Sequence, residues 1–494
     1  MSVHIIRKDI SFQPDSSRVI ARFLYSSDER SKHLIALILN LSEKEQQQEL
    51  SNVFRKYAKR HRNIIKIFEK HFQRLSTVVD AMGIDPHNLA TNQKLLIGSY
   101  FTMEYSIEAA AFFNPSIVED PDQSRIGPGE KRVILSFRAT GEGHISSIVF
   151  RSAIIDQDNL IMVEPPGRML NAPEHVRNHV YRKKTFLAKL GEMQNIENAA
   201  YPVIAQKLTE TFTYEELKRY VEETKKQIEL DPLSVVFLRE TMWLASSHYE
   251  MDFSLDTDIS ERVIFPIADT EKKGIEDARF VKFTNEDNDQ TYYATYTAYD
   301  GSSILPKLLV TSDFYHFKVL PIHGDIAQNK GMALFPRKIN GKYAMLCRID
   351  GVNNYISFSD NINIWREATM IQSPKYPWEF VQIGNCGSPL ETEAGWLVLT
   401  HGVGPMREYV LGASLFDLDN PQKEIGRLVQ PLLVPNRKER EGYVPNVVYS
   451  CGALIHNESL IIPYAVSDYA STYATVDLKE LLAMLAENAT VSAA

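Results

Sequence analysis

Cysteine is scarce in this chain: Cys347, Cys386 and Cys451 are the only three, far apart and in no CxxC or Cys/His spacing. A disulfide-built scaffold is excluded on that ground, and an odd cysteine count suits a reducing compartment. No apolar run of membrane-spanning length occurs, and the opening "MSVHIIRKDISFQPDSS" lacks the basic start and apolar run of a signal peptide. Neither a membrane partner nor secretion is expected, and the chain reads as cytoplasmic. A basic excess is missing too. With a formal charge of −9, the chain has no general attraction to nucleic acid. No dense ladder of aspartates and glutamates appears, and no glycine-rich loop joins a strand to a helix, so neither a metal nor a nucleotide cofactor is expected.

What is present is a soluble composition, 44% hydrophobic and 24% charged, in 494 residues. That length calls for several domains or one large repetitive architecture with attachments. Residues 28–93 read as helical, with Leu50, Val53, Phe54 and Tyr57 at helix spacing and charges between them. The basic run "RKYAKRHR" reads as a solvated face, and the long amphipathic segment as an arm for a homo-oligomer. From about residue 107 the texture changes to short alternating strands broken by turns. It returns to helix between residues 166 and 235, then resumes strands to the end.

Five or so strand-turn-strand units with no helices alternating between them point to a mainly β architecture, a propeller or a sandwich. The expected division is a helical extension at 1–95, the start of the β domain at 96–165, a helical insertion at 166–235 and the remainder of the β domain at 236–485. A propeller would gather loops from distant parts of the chain around one channel.

The stretch "GIEDARFVKF" carries the sharpest chemical question. Adjacent residues of a strand point to opposite faces, so Glu276 and Asp277 share a pocket only if the chain turns there, and Gly274 permits a turn. If one carboxylate faces the channel and the other pairs with Arg279, the first is partly desolvated and suited to act as an acid near neutral pH. Polar and aromatic residues at other strand ends, Asn114, Ser116, Lys330, Arg348, Glu391, His401, Arg407, Tyr409, Tyr449 and Asp468, have the mixture that a sugar pocket needs. Aromatic faces pack on sugar rings, and hydroxyls need directed polar partners.

With "FFNPSIV", "GIEDARFVKF", "YYATYTAYDG", "ALFPRKINGKYAMLCR", "GSPLETEAGWLVLTHGV", "GASLFDLDNP" and "PNVVYSCGALI" in this order, the sequence resembles glycoside hydrolase family 130, the β-mannoside phosphorylases and related β-mannosidases. The resemblance covers about residues 107–480 and leaves the helical segments unexplained. It implies a five-bladed β-propeller that cleaves β-mannosides with inversion, with inorganic phosphate as co-substrate in some members and water in others. It makes Asp277 the general acid, acting through a hydroxyl of the sugar. Such a relay tolerates a carboxylate too far from the glycosidic oxygen for direct transfer, which sets aside the usual carboxylate-separation rule. Sugar-binding positions fall on Asn114, Ser116, Arg138, Tyr449 and Asp468, and phosphate-binding positions on Lys330, Arg348, His401 and Tyr409. Arg138 also has a plainer reading, as a strand arginine paired with a neighbouring carboxylate.

Where phosphorylases carry a lysine before the "GW" strand, this chain has Glu391, which would repel phosphate and serve instead as a base for water. Arg407 is placed to restore the charge. Phosphorolysis of a β-mannoside oligosaccharide to α-mannose 1-phosphate is the reading taken. Hydrolysis with Glu391 as base is the alternative, and a glycan-binding propeller without catalysis is a third.

Overall fold

In the computed structural model, which describes residues 3–178, 180–193 and 197–492, the alternating runs pair with their neighbours in sequence into five antiparallel meanders, the first two joined into one sheet by a parallel bridge between Ser146 and Gly274. The first is Ala111–Glu119, Lys131–Thr140 and Ser146–Ile155. Gly274–Thr284, Gln290–Tyr299, Ile304–Thr311 and His316–Pro321 form the second. The third is Ala333–Leu334, Tyr343–Cys347, Asn354–Ser359 and Thr369–Gln372. Gln382–Asn385, Gly395–Val403, Tyr409–Phe416 and Glu424–Arg427 make the fourth. The fifth runs Val448–Tyr449, Ser459–Val466 and Ala470–Asp477.

Because both faces of these sheets are covered, their middle strands are buried along most of their length; every residue of Gly395–Val403 is buried, Thr400 and His401 included. Five apolar cores join the meanders in succession. Ile148 and Phe150 of the first pack with Ile275 and Leu309 of the second. Val281 and Leu308 of the second pack with Leu334 and Met345 of the third, and Ala344 and Ile356 of the third with Trp396 and Val398 of the fourth. Leu397 and Leu411 of the fourth meet Val448 and Leu460 of the fifth. The last core returns from Ile461 and Tyr473 of the fifth meander to Val133 and Phe137 of the first.

The chain start lies elsewhere than in a helical extension spanning 1–95. Ile5–Arg7 pairs antiparallel with Ala470–Asp477 as an added strand of the fifth meander, Phe12 bridges to Ser471, and Val19–Phe23 pairs with Thr102–Ser106. These strands are too short to show a period, and their partners are far away in sequence. Of this stretch only residues 28–100 are helical, as five helices and a short 3-10 turn around a core that includes Ile35, Leu50, Phe68 and Leu96. Local chemistry sets their starts: Ser42 caps Glu43–Tyr57 while Glu45 reaches back to the Ser42 N–H, a capping box.

The insertion also exceeds its expected bounds. Its helices continue through Pro232–Ser246, and its strands Tyr249–Asp252 and His175–Asn178 extend the second meander beyond His316–Pro321. It is therefore a lobe with its own core, including Phe186, Leu217 and Phe237, grafted on a sheet edge. A final helix, Leu478–Ser492, packs Leu481 and Leu485 into the core between the fourth and fifth meanders. Among the described residues no helix is long and apolar enough to cross a membrane.

Candidate active site

The site forms where the first strands of several meanders break their own alternation. Gly274–Thr284 shifts register between Glu276 and Arg279, and Ala111–Glu119 shifts between Phe113 and Ser116. At the centre of each bulge stands a non-glycine residue with positive φ, Asp277 at 56° and Asn114 at 49°. Such backbone costs of order 1–3 kcal/mol and persists where the surroundings enforce it. The bulge, rather than Gly274, puts both carboxylates of the motif in one pocket. Gly274 serves another need: a Cβ there would lie 2.6 Å from Ser146 Oγ, so it lets the first two meanders touch.

Asn114 Nδ2 donates to Asp277 Oδ1 at 2.7 Å. Arg138 Nη2 donates to Glu276 Oε1 at 2.8 Å, and its Nη1 lies 3.4 Å from Asp277 Oδ1. Lys330 Nζ is committed to the other oxygen of Glu276. The expected pairing of Arg279 with a carboxylate does not form; its Nη2 donates to the Tyr449 hydroxyl at 2.7 Å. Burial raises the Asp277 carboxyl, but the charges of Arg138, Arg279 and Lys330 outweigh it and hold the group below the usual aspartate range. In the free site Asp277 is ionised, contrary to the expectation of an acid already poised near neutral pH.

Asp468 behaves oppositely. It lies in the turn after Ser459–Val466, where Ser467 and Asp468 both have positive φ. Burial, with Asp277 adding repulsion, pushes its carboxyl up to about 6.

A basic wall faces this pair. Arg348 Nη1 donates to His401 Nε2 at 3.2 Å, and the Gln382 amide donates to the same nitrogen at 3.4 Å. Burial, then Arg348 and Arg279, hold His401 well below its usual value. It is thus neutral at pH 7, with the proton on Nδ1 because Nε2 accepts, and it orients Arg348 rather than adding a charge. The His401 ring stacks on Tyr409 at 6.1 Å and meets Tyr449 edge-on at 5.0 Å, and the Arg407 guanidinium stands over Tyr409 at 5.8 Å. The buried Nε–H groups of Arg138, Arg279 and Arg348 and the Oδ1 of Asn114 have no hydrogen-bond partner among the described residues. Unpaired buried donors are costly unless a ligand completes them.

The structure thus gathers Asn114, Arg138, Asp277, Lys330, Arg348, His401, Arg407, Tyr409, Tyr449 and Asp468. Two expected residues stay outside. Ser116 is fully buried, and its hydroxyl accepts from the Phe280 N–H at 3.2 Å, a link between two first strands rather than a sugar contact. Glu391 is bound to Arg337 through both oxygens, at 2.7 and 2.8 Å. It lines a separate cavity of about 290 Å³ with Glu119, Lys282 and Thr284, the far ends of the strands that carry Asn114 and Asp277. A strand advances about 3.3 Å per residue, so five residues separate Lys282 from Asp277 by roughly 16 Å. No sequence signal points to Gln382; Glu276 and Arg279 stand in the "GIEDAR" motif, but regular alternation would put Glu276 on the face away from Asp277.

A family model described as beta-1,4-mannooligosaccharide phosphorylase, for glycoside hydrolase family 130, matches residues 252–487. A 1,2-beta-oligomannan phosphorylase of Thermoanaerobacter sp. (strain X514) is 34% identical over 218 residues, which are 43% of this chain and 71% of that protein. A beta-1,2-mannobiose phosphorylase of Listeria innocua serovar 6a is 30% identical over 244 residues, 47% of this chain and 65% of its own length. A solved beta-1,2-mannobiose phosphorylase from Listeria innocua, in complex with beta-1,2-mannobiose, superposes with a TM-score of 0.46 at 21% identity, over 77% of this chain and 93% of that one. Spanning 71% of a relative to which it is 34% identical, and matching the family model over 252–487, the chain belongs to glycoside hydrolase family 130.

Proposed function

We propose that this protein is an inverting β-mannoside phosphorylase, in which inorganic phosphate displaces the leaving sugar from a β-mannoside and gives α-mannose 1-phosphate. The charge of the site carries the reading. Five cations, Arg138, Arg279, Lys330, Arg348 and Arg407, accompany three carboxylates, Glu276, Asp277 and Asp468, an excess of two that suits a phosphate dianion. Arg348, oriented by neutral His401, and Arg279 offer guanidinium donors of the kind that bind phosphate in a fixed geometry. Lys330 and Arg407 contribute charge, and the Tyr409 hydroxyl stands at the edge of the same wall. Asn114, Arg138, Tyr449 and Asp468 hold the sugar.

Asp277 must carry a proton to act as the acid. The cations beside it hold it ionised when the site is free, and a dianion bound among them offsets that pull and moves the proton toward Asp277. The proton then passes to the leaving oxygen through a hydroxyl of the bound sugar. Names of the relatives support the same chemistry, on β-1,2- and β-1,4-linked mannosides. In this reading the five meanders, joined by cores that return to the first, are the blades of a five-bladed β-propeller whose first strands line the channel. Hydrolysis through Glu391 is not favoured, because that carboxylate is tied to Arg337 at the other end of those strands.

The reverse reaction tests the proposal. With α-mannose 1-phosphate and an acceptor, either mannose or a β-mannobiose, the enzyme should release inorganic phosphate and lengthen the acceptor by one β-linked mannose. No phosphate release with any such acceptor would overturn it.

A further inference from the structure

Two exposed rings on loops that lead to this site have no part in the chemistry above. His144 lies in the hairpin loop of the first meander, between Lys131–Thr140 and Ser146–Ile155, and Tyr443 lies in the segment leading to Val448–Tyr449. Their rings stack with centroids 5.9 Å apart, across the boundary between the first and fifth meanders. Tyr443 is 66% exposed.

Both loops lead directly to site residues. The hairpin of His144 continues the strand of Arg138, which binds Asp277, and its Ser146 pairs with Gly274 of the acid motif. Beside Tyr443, the Val444 N–H donates to the Ser467 carbonyl at 2.9 Å, next to Asp468. A Cβ on Gly442 would stand 2.5 Å from Ser467 Cβ, so glycine is what allows this close approach. Arg440, in the same segment, pairs with Glu408 at 3.2 Å. The ring pair is therefore fixed to the two turns that carry Asp468 and Arg407.

We infer that His144 and Tyr443 form a platform for the leaving-group sugar, the mannose unit next to the one being cleaved, and so set the preference for a disaccharide or longer substrate. This rests on the proposed activity at the same site. In a β-linked mannopyranose the axial hydrogens of C1, C3 and C5 project from one face, which is an apolar surface the size of an aromatic ring. In-line displacement puts the leaving sugar on the side of the anomeric carbon away from phosphate. The guanidinium donors assigned to phosphate, Arg279 and Arg348, come from the second meander and from the end of Tyr343–Cys347 in the third. The platform comes from the first and fifth.

The test uses the full chain and two readouts. In the reverse reaction, Tyr443→Ala should raise the acceptor KM about 10-fold, as loss of a stacking contact would. The KM for α-mannose 1-phosphate should stay within about twofold, and Tyr443→Phe, which keeps the ring, should behave as the parent. An unchanged acceptor KM, an equal rise of both KM values, or failure of phenylalanine to rescue would overturn the inference. The second readout is independent of the reaction: calorimetric binding of mannose and of β-1,2- and β-1,4-mannobiose to Asp277→Asn. A disaccharide should bind more tightly than mannose, and adding Tyr443→Ala should remove the advantage. No advantage in Asp277→Asn alone, or one that survives the second substitution, would also overturn the inference, even if the wild-type protein proved to use water.

Discussion

Asn114 and Asp277 meet across two meanders: the amide Nδ2 of one donates to the carboxylate of the other at 2.7 Å, and both residues have left-handed backbone. Each bulge turns its side chain out of the strand's alternation and into the pocket. Asparagine and aspartate tolerate this backbone better than other non-glycine residues. That relationship makes Asp277→Asn a clean substitution, since asparagine keeps the shape and accepts the same φ. The turnover number should fall at least about 10³-fold, in the range of a lost general acid, while the melting temperature and mannobiose binding stay near those of the parent. Steady-state kinetics with a thermal melt on the same sample checks both.

Arg348 should act on phosphate alone. Arg348→Ala removes a charge-assisted donor, so the KM for phosphate should rise about 10- to 100-fold. The KM for the mannoside should change little. Initial rates over a phosphate-by-mannoside matrix separate the two, and a rise confined to the mannoside KM would move Arg348 out of the phosphate site.

Glu391→Gln should leave turnover unchanged, because the carboxylate faces Arg337 in a separate cavity. The Arg337–Glu391 pair is 40% and 44% exposed, so its loss should cost at most about 1 kcal/mol. A large fall in rate would return Glu391 to the chemistry.

Asp468 is expected to cost stability in exchange for function. Burial raises its carboxyl to about 6, above the range it has when unfolded. Below about pH 4 it is protonated in both states and carries no penalty. The penalty grows as pH rises through that interval and is complete above about pH 6, at most about 3 kcal/mol. Asp468→Asn should therefore raise the melting temperature at pH 7, leave it unchanged at pH 4, and weaken mannoside binding. Melts across that pH range decide the matter.

Much of this site was legible in the sequence because its motifs are local. "GIEDAR" marks the carboxylate pair, and "THGVG" carries His401, which meets Arg348 at the end of Tyr343–Cys347. Capping residues such as Ser42 with Glu45 and Thr213 with Glu216 made the helices readable in the same way. What stayed hidden depends on register and on long-range pairing. The bulge at Asp277 overrides alternation through contacts made by a strand more than a hundred residues away, so the joint position of Glu276 and Asp277 was not readable. Ser116 lies two residues beyond Asn114 on the far side of a similar bulge and turns inward. Ile5–Arg7 joins its sheet through a partner at the other end of the chain. Glu391 stands beside a motif position, but which end of the neighbouring strands it faces depends on the direction of its own strand.

The most direct measurement is a ³¹P and ¹H NMR time course of the wild-type enzyme with β-1,2- and β-1,4-mannobiose, with and without inorganic phosphate. Appearance of α-mannose 1-phosphate, with no cleavage when phosphate is left out, is the expected result. Free mannose formed at the same rate with and without phosphate would contradict it.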